Sequence, residues 1–313
     1  MNQETPTNIE QQEEELEYLS SKKIKEKINV SNLFDIIDKN IKNKIFKVDS
    51  KIQKILIKAA KRKRKKDQFK DLKNEEKRVI EVKNVIKYYL DGQKVSRILE
   101  NISFSLNKGE FSMIFGKSGS GKSTLLNLIS GLDRPSQGHV IVCDSNLPYL
   151  SDVQLTKFRR KNVSFIFQNY NLLSNLNGYN NVETGAYLQK DKSKKVDIID
   201  LFKRFEMEEV IDKYPSQMSG GQQQRISILR ALAKNAEVIF ADEPTGALDE
   251  NTTRIVLKYL YEANKEQGTT IVMVTHNPLL APIADKVIHI ENGKIAKIIE
   301  NKETIHPNEL DLD

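Results

Sequence analysis

Cysteine is nearly absent from this 313-residue chain: Cys143 is the single copy, so no disulfide can form within it, which fits a cytoplasmic address. It falls in the strand-like stretch His139-Val140-Ile141-Val142-Cys143, where a small buried thiol is expected rather than a reactive one. Long apolar runs are missing as well. No window approaches the roughly 18 apolar residues of a membrane span, and a mean hydropathy of −0.52 with 30% charged residues describes a soluble protein. Basic side chains are absent from residues 1–21, which carry six acids and no Lys or Arg. Such an acidic, polar start does not read as a signal peptide.

The chain is nonetheless basic, with a formal net charge of +7. Residues 22–78 hold 21 basic and eight acidic side chains, while 79–313 balance at 29 against 29. The excess therefore describes an N-terminal extension, residues 1–78, and not the remainder. Residues 1–27 show no apolar periodicity and read as disordered or loosely helical. From Ser31, a suitable N-cap, Phe34, Ile37, Ile41, Ile45, Val48, Ile52, Ile55 and Ala59 recur at gaps of three or four, close to the helical period. Asp35 and Asp38 near the start, and Lys61-Arg62-Lys63-Arg64-Lys65-Lys66 at the end, complement the dipole of such a helix. Lys39, Lys42, Lys47, Lys51, Lys54 and Lys58 fall on the opposite face. The pattern predicts a basic amphipathic helix over residues 31–66. It can lie on an anionic membrane surface, pack on a partner helix, or fold back with its lysines in solvent. Nucleic-acid binding by the Lys/Arg run has the least support, because a charge run is usually a solvated face.

Beyond the extension one stretch organises the rest. Gly116-Lys117-Ser118-Gly119-Ser120-Gly121-Lys122-Ser123-Thr124 fits Gly, four residues, Gly-Lys-Ser/Thr, the spacing of a phosphate-binding loop. Phe111–Phe115 before it reads as a buried strand, and Leu125, Leu126, Leu128 and Ile129 after it begin a helix-spaced pattern. The glycines let backbone N–H groups turn toward a di- or triphosphate, and the helix adds its positive end. Lys122 supplies a mobile charge, and the Ser123 hydroxyl can ligate magnesium. Val79–Val82 and Ile102–Leu106 alternate as half-buried antiparallel strands do. Val163–Phe167, Val238–Ala241 and Ile271–Thr275 are further strand candidates, the last two apolar throughout, as parallel strands covered on both faces are. Residues 171–233 are mostly helical in pattern. The fold expected is α/β, a parallel nucleotide core over residues 79–313 with an antiparallel β layer and a helical insertion.

Asp242 and Glu243 follow a hydrophobic strand, which puts one carboxylate near a metal shell and the next where it can polarise a water. His276 would stand at the same sheet edge, and Gln168, after Phe167, could reach the metal. Each of these is common alone. Met218-Ser219-Gly220-Gly221-Gln222 decides among readings, because here the chain resembles the ATP-binding subunits of ABC transporters, whose signature is Leu-Ser-Gly-Gly-Gln. Order and spacing agree over about residues 79–300. Gln168 resembles that family's Q-loop glutamine, Asp242-Glu243 its Walker B pair, Ala247-Leu248-Asp249 its D-loop and His276 its switch histidine. Tyr89 matches the adenine-stacking position, with Tyr88 as the fallback. Phe167–Leu173 and Ala241–Asp249 look most like the subfamily of macrolide exporters, lipoprotein-release ATPases and the cell-division ATPase FtsE. Met218 stands in place of Leu, a volume-conserving change. Asn180 stands where that subfamily often has Glu, on a segment that usually faces the membrane subunit.

The resemblance implies a P-loop ATPase that hydrolyses ATP with magnesium held by Ser123, Gln168 and Asp242. Two such domains would pair head to tail. One copy brings Gly116–Thr124, Tyr89, Gln168, Asp242, Glu243 and His276, the other Ser219, Gly220, Gly221 and Gln222, with Asp249 at the dimer interface. Glu243 would activate water, His276 would hold the γ-phosphate, and the stroke would pass to separate membrane subunits from the inner face of the membrane. Export or extraction of a substrate is the leading output; FtsE-like regulation of a membrane partner is the rival. A translation-factor ABC protein would carry two nucleotide domains, and a chromosome-maintenance ATPase would need a long coiled coil between Gln168 and Ser219.

Overall fold

The computed structural model describes residues 16–61, 77–246 and 248–312. The chain forms two compact units, Met1–Lys61 with Tyr88–Arg97 in one and Arg62–Lys87 with Ile98–Asp313 in the other. Residues 1–15 of the tail expected to be disordered, Arg62–Lys66 of the basic run and Ala247 of the D-loop match lie outside the described residues.

In the first unit, β1 (Tyr18–Leu19) pairs in parallel with β2 (Ile45–Val48). The latter pairs antiparallel with the start of β4 (Lys94–Asn107). Two helices accompany them, α1 (Leu33–Asn40) and α2 (Ser50–Lys61). The single helix expected over residues 31–66 is therefore broken by a strand. Ile41, Ile45, Val48 and Ile52 fit a helical stripe, but Phe46 and Val48 also fit the two-residue period of a strand. Phe46, left off the stripe, is fully buried, whereas Ile45, on it, is 40% exposed. Burial of the larger side chain decides the contest. Ser31 does not cap α1, which follows Asn32. Asp49 starts α2, its Oδ1 accepting the N–H groups of Lys51 and Ile52 at 3.0 and 2.9 Å.

The strand β3 (Arg78–Asp91) reaches β4 through Gly92 and Gln93, and its Tyr88 is buried in the first unit. The Tyr88 ring stacks on Phe34 at 5.4 Å and meets Phe46 edge-on at 6.5 Å. Its hydroxyl donates to Asp38 Oδ1 at 2.5 Å, and Arg97 Nη2 donates to the same oxygen at 2.9 Å. Burial and the Asp38 carboxylate push the phenol upward, so it remains a proton donor.

The second unit has an antiparallel layer, in which β3 pairs with β6 (Gln137–Val142) and β6 with β7 (Ser145–Asn146). Its main sheet contains β5 (Phe111–Phe115), β8 (Val163–Ile166), β9 (Val238–Asp242), β10 (Thr270–Thr275), β11 (Lys286–Glu291) and β12 (Lys294–Glu300). The order is β12-β11-β5-β10-β9-β8, parallel throughout except for the β11–β12 pair. This is the α/β core that the apolar runs predict. Every residue of β10 is buried, Ile271 and Met273 in one core, Val272 and Val274 in the other. The second of these cores takes in α3 (Lys122–Ile129), α4 (Asp152–Asn162) and the antiparallel layer. The first takes in α5 (Gly178–Leu188), α6 (Ile198–Arg204), α7 (Gly220–Ala233) and α8 (Glu250–Gln267). Met218 is buried in that core, so the thioether fills the place of a leucine without a polar cost.

The stack of Phe34 on Tyr88 yields a stability prediction. Phe34→Ala should destabilise the first unit by about 3–5 kcal/mol. Urea unfolding followed by tyrosine fluorescence in the full chain, which has no tryptophan, measures it; a change below about 1 kcal/mol would mean that the stack does not hold this unit together.

Candidate functional site

The turn from β5 into α3 is Gly116–Gly121. A Cβ on Gly116 would overlap the Ile290 carbonyl and come within 2.8 Å of Ser120 Oγ. Gly121, the N-cap residue of α3, has φ of +106°, a backbone that side chains avoid. Both glycines are thus required by the path of the loop, which the Ser120 N–H tightens by donating to the Lys117 carbonyl at 3.2 Å. Helix α3 then opens onto a cleft of about 770 Å³, with Lys122, Ser123 and Thr124 in its wall beside Lys117, Ser118, Gly119 and Gly121. Unpaired N–H groups of a first helical turn, together with the helix dipole, make such a wall attractive to anions. The buried Lys122 donates from Nζ to the Lys117 carbonyl at 3.1 Å.

The sheet order explains what faces this loop. β5, β10, β9 and β8 lie side by side and run in one direction, so their C-terminal ends deliver the loop, His276, Asp242-Glu243 and Gln168 to one edge, where open α/β sheets bind ligands. Gln168, Glu243 and His276 line the same cleft. Asp242 accepts from Ser123 Oγ at 3.2 Å. Burial raises the Asp242 carboxyl above its ordinary range; the Ser123 hydroxyl opposes this, and the neighbouring Glu243 charge adds to it. Glu243 has a left-handed backbone, φ 47°, uncommon for a residue with a side chain. Its N–H donates to the Val274 carbonyl at 2.9 Å, tying the bend to β10. So placed, Glu243 Oε2 stands 2.6 Å from His276 Nδ1 and Oε1 stands 4.0 Å from Lys122 Nζ.

The donor set also suits a hard cation. The Ser123 hydroxyl, an Asp242 oxygen and the Gln168 amide are oxygen ligands of the kind magnesium takes alongside phosphate oxygens. The Ser123–Asp242 hydrogen bond already holds two of them together.

Other expected residues lie elsewhere. Ser219 caps α7, its Oγ accepting the Gln222 N–H at 3.2 Å while Gln222 Oε1 accepts the Ser219 N–H at 2.9 Å, a capping box. Ser219 and Gly220 are exposed, and none of Ser219–Gln222 lines the cleft. Asp249 caps α8, accepting from the N–H and hydroxyl of Thr252 at 2.9 and 2.7 Å. Tyr88, the fallback for adenine stacking, is instead consumed by Phe34 and Asp38, while Tyr89 is 41% exposed. Cys143 sits just past β6, half-buried rather than within the strand. Burial, reinforced by Glu237 and Asp144, pushes its thiol up to about 12, far from a reactive thiolate. One wall residue was missed. Ile98 lines the cleft, and its trace in the sequence is an apolar side chain on the half-exposed face of β4, between the buried Arg97 and Leu99.

The family described as ABC transporter matches residues 99–246. A putative ABC transporter ATP-binding protein of Mycoplasma pneumoniae is 48% identical over 227 residues, 72% of this chain and 49% of that protein. The chain thus spans about half the length of the two Mycoplasma relatives that it matches at 48% and 49% identity. A macrolide export ATP-binding/permease protein, MacB of Haemophilus ducreyi, is 40% identical over 225 residues, 71% of this chain and 32% of the relative. MJ0796, an uncharacterized ABC transporter ATP-binding protein of Methanocaldococcus jannaschii, is 40% identical over 227 residues, 70% of this chain and 96% of that protein. A dimeric structure of MJ0796 in a post-hydrolysis state with ADP and Pi aligns with a TM-score of 0.65 at 36% identity, over 71% of this chain and 98% of the other. A match that takes in nearly all of such a cassette, at this identity, decides the question: this chain belongs to the ABC transporter ATP-binding proteins.

Proposed function

We propose that two copies of the second unit pair head to tail around two ATP molecules and that hydrolysis drives separate membrane subunits to export or extract a substrate. The observation that carries this reading is the placement of Glu243 between Lys122 and His276 in the cleft, while Ser219 and Gly220 lie exposed outside its lining. A helix N-terminus so placed is available to the nucleotide of a second copy.

Each side chain then has a task. The loop Gly116–Thr124 cradles the phosphates, and Lys122 neutralises charge that develops on them. Ser123, Asp242 and Gln168 would hold magnesium, which when bound polarises the phosphoryl oxygens. Glu243 orients and deprotonates the attacking water, and His276, held by the same carboxylate, contacts the γ-phosphate. Ser219, Gly220, Gly221 and Gln222 close the partner's site, with Asp249 at the interface between copies.

The address that goes with this is the inner face of the cell membrane; among the described residues no helix is long and apolar enough to cross one. The first unit adds to the attachment. Lys51, Lys54 and Lys58 are exposed along α2, and Ile57 beside them is 41% exposed, a basic face with an apolar wedge that suits an anionic lipid surface.

Two experiments follow. Glu243→Gln should keep ATP affinity, lower turnover by about a hundredfold or more and accumulate an ATP-bound dimer in light scattering. Undiminished hydrolysis by that variant would show that the base lies elsewhere. Exchange of Lys51, Lys54 and Lys58 for Glu should weaken sedimentation with phosphatidylserine vesicles by at least about tenfold at roughly 0.15 M salt, with ATP hydrolysis retained; equal sedimentation of variant and parent would remove the lipid role.

A further inference from the structure

Helix α7 begins at the exposed Ser219 turn and touches both loops that carry the strand-end chemistry. Near its start Gln224, 1% exposed, donates from Nε2 to the Pro244 carbonyl at 2.8 Å. Pro244 follows Glu243 in a tight turn closed by the Gly246 N–H on the Glu243 carbonyl at 3.2 Å. Near the other end Arg230 spreads its guanidinium over two carbonyls, with Nη1 on Asn171 at 2.6 Å and Nη2 on Tyr170 at 2.8 Å. Those two residues have left-handed backbones, φ 57° at Tyr170 and 48° at Asn171, and end the bend that begins at Gln168. Such a backbone persists only where its surroundings hold it, and a planar fork of charged donors holds two carbonyls in fixed relation.

The helix is itself anchored. A Cβ on Gly185 of α5 would overlap the Arg230 carbonyl, so the two helices are in backbone contact at that point. The loop also returns to the start of α7, because a Cβ on Gly220 would come within 3.2 Å of the Tyr170 hydroxyl. The Gln168 loop is therefore fixed to α7 by its backbone at Arg230 and lies against it by a side chain at Gly220. The sequence gives little hint of these ties, since glutamine and arginine in a helix are ordinary solvated residues.

We propose that Gln224 and Arg230 are positioning residues, fastening the Glu243 turn and the Gln168 loop to α7, so that nucleotide in a chain's own cleft sets the Ser219–Gly221 turn offered to the second copy. This rests on the proposed reading of the cleft and of the Ser219 turn. Neither residue lines the cleft; each acts through the loop it holds.

The test uses the full chain with Arg230→Lys, which keeps the charge and loses the fork, and Gln224→Met, which keeps the length and loses the donor. ATP with magnesium is the probe, and hydrogen exchange is read at protein concentrations where the chain is monomeric. In the parent, ATP should slow exchange both in residues 168–173 and in residues 219–224. In each variant, ATP affinity should stay within about threefold and kcat should fall by at least about tenfold with KM held. The ATP effect on residues 219–224 should disappear while that on 168–173 survives in Gln224→Met. Retention of the ATP effect at 219–224 together with parental kcat would overturn the proposal. So would a fall in ATP affinity and melting temperature in step with kcat, the mark of a merely structural role. If the parent itself bound no ATP, the reading of the cleft would fail instead.

Discussion

A carboxylate held between an ammonium and an imidazole is the arrangement on which the second unit depends. Glu243 reaches both Lys122 and His276 only because its backbone turns left-handed at the end of β9 and hands its N–H to β10. In turn β10 lies beside β5, and β9 beside β10, because each is apolar on both faces and can be covered only inside a sheet packed from two sides. The parallel register then brings four strand ends to one edge without any further instruction. Asp242, already raised by burial and by its neighbour's charge, gains from any positive charge that enters there. Under the proposed function, a cleft of this kind would favour a phosphate that comes with its cation over a bare phosphate.

The core was legible because its signals are local and redundant. Phe111–Phe115, Val238–Ala241 and Ile271–Thr275 are apolar apart from Ser112 and the terminal Thr275, and the residues that follow each carry distinctive chemistry at fixed spacing. The first unit was not legible for the opposite reason. Ile41 to Ile52 satisfy helical and extended periods together, and what separates them is the burial of Phe46 against Tyr88, about forty residues away in the chain. No window of sequence contains that contact. Tyr88 illustrates the same limit, since Tyr88 and Tyr89 are equivalent by composition. Only the stack on Phe34 and the bond to Asp38 show that Tyr88 is committed to packing.

Ile98, Gln224 and Arg230 were missed on a different account. Ile98 is one apolar residue on the wrong face of a strand, a signal visible in retrospect but common on any surface. Gln224 and Arg230 bond to backbone carbonyls, and a carbonyl is offered by every residue. Side chain-to-backbone ties over dozens of positions leave no pattern in spacing, whereas a loop that must bend around a phosphate leaves glycines.

The capping box at Ser219 poses an apparent conflict, because a hydroxyl already engaged in capping its own helix is asked, under the proposed function, to bind another copy's phosphate. Hydrogen-bond inventory resolves it. A serine hydroxyl has two lone pairs and one proton. The cap uses a lone pair, accepting the Gln222 N–H, and leaves the O–H to donate outward. A phosphate oxygen needs a donor, not an acceptor, so the two roles draw on different parts of the same group. The cap also fixes the χ1 of Ser219 before any ligand arrives, which lowers the ordering cost of binding. Gln222 contributes in the same way: its Oε1 holds the Ser219 N–H and its Nε2 donates to Glu209 at 2.7 Å, so the turn is rigid from both sides. Under the proposed function, what reads as a purely structural helix start would therefore also serve as a preorganised anion site, its exposure making it usable by a second copy.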